Sequence, residues 1–421
     1  MSNKVLFLGV YRDGTGWSHA AENYILALDA AGVEVVPRPI KLNDAEVEVP
    51  ERIVELEAQS DEGCDVVIQH ILPHMMDYCG HFDKNIGLFH SETSHFRNAF
   101  WAERLNLMDE AWVCNEQMLR ASTNSYVQRP MRVMPVPCDP SKYARHYEKI
   151  KIPQLRGKFV FYTIGEVTRR KNLAALLKAY HLEFRKSEPV TLVIKANLSG
   201  MPAGECDKHV QEICVQIKRE LKLYPNEDDF LGEIIITQRF DEQKMMMLHN
   251  TCDCFVMPSY GESWCIPAFD AMAMGKTPIC SQVGGMSEFI YRPAGEKGGG
   301  LGGWLVPTHT EPCFGMTADN IMPDLFQGNE NWESISIRGL QRAMREAFEQ
   351  EDKRKQRADI GIDRAYDFSY QAVGEQMKEA LEGELGSKGP YYQYWSGKGR
   401  LVDVTQQHSI EGIDKWNEEV S

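Results

Sequence analysis

The sequence predicts an α/β fold made of two doubly wound, Rossmann-like domains. Short apolar runs alternate with longer amphipathic stretches along the whole chain, which is typical of parallel strands covered by helices on both faces. These runs divide evenly on the two sides of a polar segment, 137–158, that contains three prolines. The length of 421 residues also exceeds what one hydrophobic core usually organises.

The predicted elements divide the chain into four segments. We predict strands near 5–10, 33–36, 65–69, 86–89, 110–114 and 131–136, and then near 159–164, 190–195, 233–237, 253–257, 277–280 and 304–306. Helices are predicted over 336–357 and 367–384, whereas the tail from Gly386 shows neither a helical nor a strand period. The predicted segments are an N-terminal domain (1–137), a linker (138–158), a C-terminal domain (159–365), and a last helix and tail (366–421) that cross back to the first domain. Doubly wound sheets bind ligands at the carboxyl ends of their strands, so a cleft between the domains is expected.

The composition limits the classes of partner and compartment. The net charge of −15 argues against a nucleic-acid or anionic-membrane surface over most of the molecule. Eleven cysteines, most of them in apolar runs and without paired metal spacing, predict reduced thiols and a cytoplasmic location. No apolar run is long enough for a membrane helix, and the N-terminus predicts a strand and a turn, unlike a secretory signal. His70 and His74 have a helical metal spacing, but Pro73 between them disfavours a helix, and no metal site is predicted.

The most informative segment is 258–288, which reads PSYGESWCIPAFDAMAMGKTPICSQVGGMSE. It follows an apolar run that predicts a buried strand, and it places Glu262 on a loop and Asp270 on a small-residue helix predicted over 268–274. A carboxylate beside the free N–H groups of a helix start can hold a ligand with hydroxyls at both ends and phosphates between them. A sugar nucleotide has that layout. The alternative is a capped, buried strand-turn-helix with two incidental acids.

This segment resembles the retaining GT-B glycosyltransferases of the large glycosyl transferases group 1 (family 4-like) class, whose signature is Glu, seven residues, Glu. The positions in register are the Pro-Ser start, Gly261, Glu262, Pro267, the Ala-Met-Ala run, Gly275, Pro278 and Gly284-Gly285. The resemblance implies that Glu262 holds the donor sugar and that Asp270, one methylene shorter than the family's Glu, holds the ribose. Further donor contacts are expected from the residues that follow Glu262, although Trp264 could equally fill the core; these residues are Ser263, Trp264 and Cys265.

A second motif is the basic turn after the strand that ends at Gly165. It carries Arg169, Arg170 and Lys171, which could neutralise a diphosphate at the binding edge of the sheet. The alternative is a solvated helix start, which is unfavourable against the helix dipole unless an anion is near. By the resemblance, Lys171 aligns with the diphosphate-binding lysine of the family. The family often has Arg directly after the glycine, where this chain has Glu166, so Arg169 or Arg170 would have to serve instead.

The first turn of the chain carries Gly14 and Gly16 between a predicted strand and helix. It fails as a dinucleotide fingerprint, because His19 stands in place of the third glycine. The turn resembles the glycine loop by which the family's N-terminal domain approaches the donor phosphates. A plain tight turn explains it equally well.

Two further strand ends carry candidate side chains. His90 ends the strand predicted near 86–89, and in the family a histidine at this place lies near the anomeric centre of the donor. His70 is its rival, and a strand-end hydrogen-bond network is the alternative for both. Lys195, at the end of the strand over 190–195, is a possible phosphate or ribose contact.

The resemblance implies a retaining transferase that moves a hexose-type sugar from a nucleotide-diphosphate sugar, such as a UDP- or GDP-sugar, to an acceptor. The catalytic residues would be Glu262, His90 and Lys171, with no metal and no other cofactor, and no Asp-x-Asp triplet for a metal occurs in the sequence. The acceptor stays open among glycan, lipid, protein and small molecule, nucleic acid being less favoured by the charge, and so does the oligomeric state. The alternatives are a non-catalytic sugar-nucleotide-binding or scaffold protein, and a nucleotide-sugar epimerase or phosphorylase.

Overall fold

A computed structural model describes residues 4–42, 46–293, 299–316 and 324–383, together with the backbone of 393–396 and 400–403. The chain forms two compact units. The first unit contains 4–140, 324–331 and 366–383 together with the two late strands, and the second contains 141–316 and 332–365. Each unit is built around its own parallel sheet.

The strands follow one another in chain order. They are β1 (Lys4–Gly9), β2 (Glu34–Pro39), β3 (Val66–His70), β4 (Lys84–Leu88), β5 (Glu110–Val113), β6 (Met131–Val133), β7 (Phe159–Glu166), β8 (Val190–Asn197), β9 (Glu233–Ile236), β10 (Cys254–Met257), β11 (Ile279–Ser281), β12 (Tyr291–Arg292), β13 (Gly300–Leu301), β14 (Trp304–Val306), β15 (Thr308–Pro312), β16 (Asn331–Ile335), β17 (Gln393–Ser396) and β18 (Arg400–Asp403). All twelve predicted strands are present. The central strands β3, β4, β5 and β10 are buried on both faces, as expected of parallel sheets, whereas β1 alternates between half-buried and buried residues.

The helices occupy the longer amphipathic stretches. They are α1 (Gly16–Ala30), α2 (Glu51–Glu57), α3 (Trp101–Leu105), α4 (Glu116–Asn124), α5 (Pro140–Ala144), α6 (Leu173–Glu183), α7 (Ala203–Leu221), α8 (Glu242–Thr251), α9 (Ile266–Ala273), α10 (Gly284–Ile290), α11 (Ile337–Glu349), α12 (Glu351–Ala365) and α13 (Tyr370–Glu382). Short 3₁₀ turns cover Pro73–Met75, Pro153–Leu155, Glu227–Asp229 and Tyr366–Phe368. The segment 138–158, predicted as a linker, thus contains a short helix and a 3₁₀ turn.

The sheet of the first unit has the order β2-β1-β3-β4-β5-β6, with every neighbouring pair parallel. The direction of winding reverses between β1 and β3, and a doubly wound sheet forms its binding crevice at such a point. Helix α13 returns to this unit and packs on α1. Their approach is close, since a Cβ at Gly374 would lie 2.1 Å from the carbonyl oxygen of Ala27.

The sheet of the second unit has the order β14-β11-β10-β7-β8-β9, again fully parallel. Numbered within the unit, this is the 3-2-1-4-5-6 order of dinucleotide-binding folds. The winding reverses between β7 and β10. The core beside the sheet is apolar, with Leu176, Val210, Trp304 and Leu340 all fully buried.

Two late parts of the chain differ from the sequence predictions. The helix predicted over 336–357 is two helices, α11 and α12, which are separated at Gln350 with φ −101° and ψ 77°. In the tail, where no period was found, β17 and β18 pair as an antiparallel hairpin. The remainder of 384–421 lies outside the described residues. Pairs β12–β13 and β15–β16 form two further small sheets.

Neither a membrane span nor a disulfide is found where the structure describes the chain. None of the helices within the described ranges is both long and apolar enough to cross a bilayer. All eleven cysteines lie in those ranges as free thiols, and nine of them are buried. Burial raises the pKa of several of these thiols, including that of Cys265 to about 12.

Candidate functional site

The candidate site lies in the second unit, at the carboxyl ends of β7 and β10. The turn after β7 carries the three predicted cations, and the loop after β10 carries Glu262. Because the winding of the sheet reverses between these two strands, their following turns separate and leave a crevice for a ligand. The two motifs are distant along the chain and lie side by side in the fold.

Three side chains meet at the carboxylate of Glu262, which is 5% exposed. The ammonium of Lys171 donates to Oε1 at 2.7 Å, and the hydroxyl of Ser259 donates to the same oxygen at 2.6 Å. The guanidinium of Arg170 lies 3.4 Å from Oε2 and donates to the carbonyl of Gly261 at 2.7 Å. The site is thus a buried acid held by two cations and a hydroxyl.

The neighbouring cations decide the charge of Glu262. Burial alone favours the neutral acid, but the charges of Lys171 and Arg170, with the hydrogen bonds from Lys171 and Ser259, hold its pKa below the ordinary value. Glu262 is therefore ionised at neutral pH. It can accept hydrogen bonds from hydroxyl groups, and it cannot serve as a proton donor there.

Two glycines shape the loop that carries Glu262. Gly284, with φ +51°, starts α10 directly beneath the loop, and a Cβ at this position would lie 1.7 Å from the carbonyl oxygen of Glu262. A Cβ at Gly285 would lie 2.5 Å from Cα of Trp264. The backbone of Gly285 donates to the same carbonyl of Glu262 at 3.3 Å. The Gly-Gly pair is required because the loop packs directly on the backbone of these two residues and leaves no room for a side chain.

Replacing Gly284 by alanine is expected to destabilise the second unit by about 1–3 kcal/mol, the cost of a forced left-handed residue and a displaced loop. Donor binding should weaken with it, since Glu262 moves. Chemical denaturation measures the stability. Gly204→Ala is the matched control, because Gly204 lies in α7 with open space around its Cβ direction. Equal stabilities of the two variants would show that the loop does not rest on Gly284.

The residues after Glu262 lead into α9. Cys265 caps the helix with φ +73°, a left-handed conformation that is costly for a residue with a side chain. Trp264 is 3% exposed, and its ring lies 5.8 Å from that of Phe269 and 5.3 Å from that of Phe289. These contacts favour the core role that the sequence left open for Trp264. Ser263 is half-buried beside them.

The second acid, Asp270, lies on α9 and is 5% exposed. Its Oδ1 accepts from the hydroxyl of Tyr143 at 2.7 Å and lies 3.5 Å from the ammonium of Lys142. Lys142 also lies 3.0 Å from Glu242. Asp270 and Glu262 therefore have separate sets of partners.

Arg169 lies apart from the other two cations of the basic turn. Its guanidinium is 4.2 Å from the ring centre of Phe314 and 5.5 Å from that of Tyr260, which in turn stacks on Trp332 at 4.5 Å. Between the two arginines that the sequence could not separate, Arg170 is the one beside Glu262. Arg169 belongs to an aromatic cluster formed by Tyr260, Phe314 and Trp332.

Two further positions at this edge of the sheet have different environments. Lys195, at the end of β8, is 5% exposed, and burial lowers its pKa. Its ammonium lies 5.3 Å from the ring centre of Phe240. Glu166, which replaces the family's arginine, accepts from the backbone N–H of Ser199 at 2.8 Å. Glu166 is thus held by the loop that follows β8.

In the first unit, the two candidate histidines are hydrogen-bonded to each other. Nε2 of His70 and Nε2 of His90 are 2.9 Å apart, and Sγ of Cys114 lies 3.6 Å from Nδ1 of His90. The ring of Trp17 packs on both at 5.1 and 4.9 Å. Burial lowers the pKa of His90 to about 4, so the pair is neutral at physiological pH.

The glycine turn of the first unit precedes α1. Gly14 has φ +71°, and α1 begins at Gly16, with Thr15 as the N-cap. Both glycines stay candidates for donor contacts. They lie between a strand and a helix, as the sequence predicted, and this turn is at the winding reversal of the first sheet.

Sequence reasoning missed three side chains at the two acids. Ser259 was noted only as part of the Pro-Ser start of the motif, although a hydroxyl three residues before a loop carboxylate is a signal that could have been used. Tyr143 and Lys142 lie in the predicted linker. No local signal connects them to Asp270, because the contact spans more than a hundred residues.

Comparison with known proteins agrees with this geometry. Residues 147–308, which include both acids and the basic turn, match the family described as Glycosyl transferases group 1. The match covers less than half of the chain and shows that this region is similar to that family. The resemblance found in the sequence is thereby confirmed over this region.

Named relatives are similar over parts of their length. Sucrose synthase 4 of Oryza sativa is 26% identical over 192 residues, which are 44% of this chain and 22% of that protein. The serotype-specific mannosyltransferase WbdA of Escherichia coli is 24% identical over 152 residues, 34% of this chain and 17% of that protein. The chain therefore matches less than a quarter of the length of either relative.

Solved structures show the same fold over most of the chain. Sucrose-phosphate synthase from Thermosynechococcus elongatus aligns with a TM-score of 0.59 and 14% identity, covering 90% of this chain and 98% of that one. HepE of Anabaena, solved with UDP-glucose, aligns with a TM-score of 0.56 and 15% identity over 90% and 99% of the two chains. The predicted α/β class with the GT-B fold is confirmed.

Proposed function

We propose that this chain transfers a hexose-type sugar from a nucleotide-diphosphate sugar to an acceptor, with retention of the anomeric configuration. One observation carries the proposal: Lys171, Arg170 and Ser259 converge on the ionised, buried Glu262 at the winding reversal of the sheet in the region similar to the group 1 family. Cations and an acid in direct contact suit a ligand that carries both phosphates and hydroxyls.

On binding, the donor would make new contacts with both the cations and the carboxylate of the site. Its diphosphate attracts Lys171 and Arg170, and its sugar hydroxyls donate to the carboxylate that these cations now neutralise. Every charged group then keeps a partner, which matters because an unpaired buried charge is costly. Asp270, in the second turn of α9, is proposed to accept from the ribose.

The cations would act most strongly during bond cleavage. Negative charge grows on the diphosphate as the bond to the sugar breaks, so fixed cations bind the transition state more tightly than the ground state. Glu262 is ionised and already accepts two hydrogen bonds, which supports a binding role over that of an acid. We therefore assign the acceptor proton to an oxygen of the departing diphosphate, in a front-face mechanism. Any contact of His90 with the sugar would be made by a neutral imidazole.

We further propose that transfer needs no metal ion and takes place in the cytoplasm. Two fixed cations at the site can supply the charge that a metal supplies elsewhere. Within the described ranges no group of three His, Cys, Asp or Glu side chains could hold an ion. Free thiols at all eleven cysteines support a reducing compartment.

A donor screen tests the proposed function. We expect one or more UDP- or GDP-sugars to stabilise the protein against heat, by about 2.7 kcal/mol at a concentration a hundred times Kd. The same donor should then release its nucleoside diphosphate when acceptors are added. Absence of stabilisation by every nucleotide sugar would overturn the proposal. Stabilisation without any release in an acceptor panel would favour the non-catalytic alternative.

A further inference from the structure

Helix α5, in the segment predicted as a linker, contributes two side chains to Asp270. The hydroxyl of Tyr143 donates to Oδ1 at 2.7 Å, and the ammonium of Lys142 lies 3.5 Å from the same oxygen. The ring of Tyr143 packs edge-on against Phe269 at 6.3 Å, which fixes the direction of its hydroxyl. Both contacts reach the same oxygen of the carboxylate.

The other oxygen of Asp270 is open. Among the described residues, the hydrogen bonds to the carboxylate both reach Oδ1 and none reaches Oδ2, while the side chain as a whole is 7% exposed. Oδ2 is not one of the fully buried polar atoms that lack a partner, so it keeps some access to solvent and to a ligand. One oxygen is therefore fixed by the protein and the other is available to a hydroxyl.

Lys142 links this acid to the surface. It lies between Asp270 and the exposed Glu242. Burial opposes its charge, but the two acids outweigh burial and raise its pKa above the ordinary value. Lys142 is thus a permanent cation that keeps Oδ1 in place.

We propose that Tyr143, assisted by Lys142, is a positioning residue that fixes Asp270 so that Oδ2 accepts a hydrogen bond from the ribose of the donor. This inference rests on the proposed function. It gives the short Asp side chain a defined orientation, since a carboxylate held at one oxygen cannot rotate away from its ligand. Tyr143 itself does not touch the donor.

Calorimetry with ribose analogues tests the inference. The probes are UDP and GDP, each compared with its 2′,3′-dideoxy analogue, which lacks the ribose hydroxyls. We expect the wild type to bind the ribose form about tenfold more tightly, as one hydrogen bond to a charged group predicts. Tyr143→Phe should reduce that ratio by at least about threefold while kcat stays within about twofold. Asp270→Ala should abolish it, and the double variant should equal Asp270→Ala.

Tyr180→Phe is the matched control, because the hydroxyl of Tyr180 donates to the carbonyl of Gly232, far along the chain from Asp270. Its ratio of affinities for the ribose and dideoxy forms should equal that of the wild type. If Tyr143→Phe keeps the full ratio while Asp270→Ala loses it, the positioning role is wrong and the donor role of Asp270 stands. If Asp270→Ala also keeps the full affinity ratio, Asp270 does not bind the ribose and the inference is wrong. If the wild type binds neither diphosphate, the proposed function fails and the inference fails with it.

Discussion

Replacing Glu262 by alanine is expected to lower kcat/KM by about a hundredfold or more, while the protein remains folded. The carboxylate is the group at which Lys171, Arg170 and Ser259 meet, and we assign it to the hydroxyls of the donor sugar. Each lost hydrogen bond to a charged group costs about 1.5–3 kcal/mol. Steady-state kinetics with the donor found in the screen measures the loss.

The matched control for this substitution is Glu233→Gln. Glu233 is a second buried carboxylate of the same unit, paired with His181 at 2.6 Å and with Lys218 at 2.8 Å, but it begins β9 and so lies at the opposite, amino-terminal edge of the sheet. Its substitution should lower stability and leave kcat/KM nearly unchanged. A Glu262→Ala enzyme that keeps more than about half of wild-type kcat/KM would show that the sugar is held elsewhere.

Replacing Lys171 by alanine is expected to lower kcat by a factor of about 10²–10³, the typical effect of removing one group that stabilises transition-state charge. The loss should fall on kcat more than on donor affinity, because charge on the diphosphate grows as the bond breaks. Arg170→Ala should act in the same direction. Arg169→Ala should have a much smaller effect, since Arg169 packs on Phe314 and Tyr260.

Lys218→Ala controls for the loss of a partly buried lysine, since Lys218 pairs with Glu233 as Lys171 pairs with Glu262. Its kcat should stay near that of the wild type. Wild-type activity should also survive EDTA, because the side chains supply the positive charge. A nearly unchanged kcat in Lys171→Ala, together with a strong requirement for Mg²⁺ or Mn²⁺, would place the stabilisation of the leaving group elsewhere.

Most of the fold could be predicted because its signals are local. A strand such as β10 is four apolar residues followed by a turn, and parallel sheets bury such runs on both faces. The acidic motif after β10 and the basic turn after β7 could also be predicted, since each is a short string of residues at a strand end. The break between α11 and α12 was not, because the residues around Gln350 are good helix formers and no Gly or Pro marks the end.

Side-chain partners could not be predicted from the sequence, because they depend on which segments the fold brings together. Three adjacent cations, Arg169 to Lys171, gave no sign of which one would lie against aromatic rings. His70 and His90 were treated as rivals for one role, and they are hydrogen-bonded to each other. The contact of Tyr143 with Asp270 likewise depends on where α5 folds back.

The buried cysteines can serve as internal probes of local unfolding in this protein. A thiol reagent attacks the thiolate, and burial both raises the thiol pKa and blocks access, so a buried cysteine reacts only while its surroundings are open. Cys114 and Cys138 lie in the first unit, and seven other buried cysteines lie in the second. The rates at which the individual cysteines are alkylated therefore show how often each of the two units opens, without any change to the sequence. Cys265 reports on the loop of Glu262 itself, and a ligand that occupies that loop slows its reaction alone.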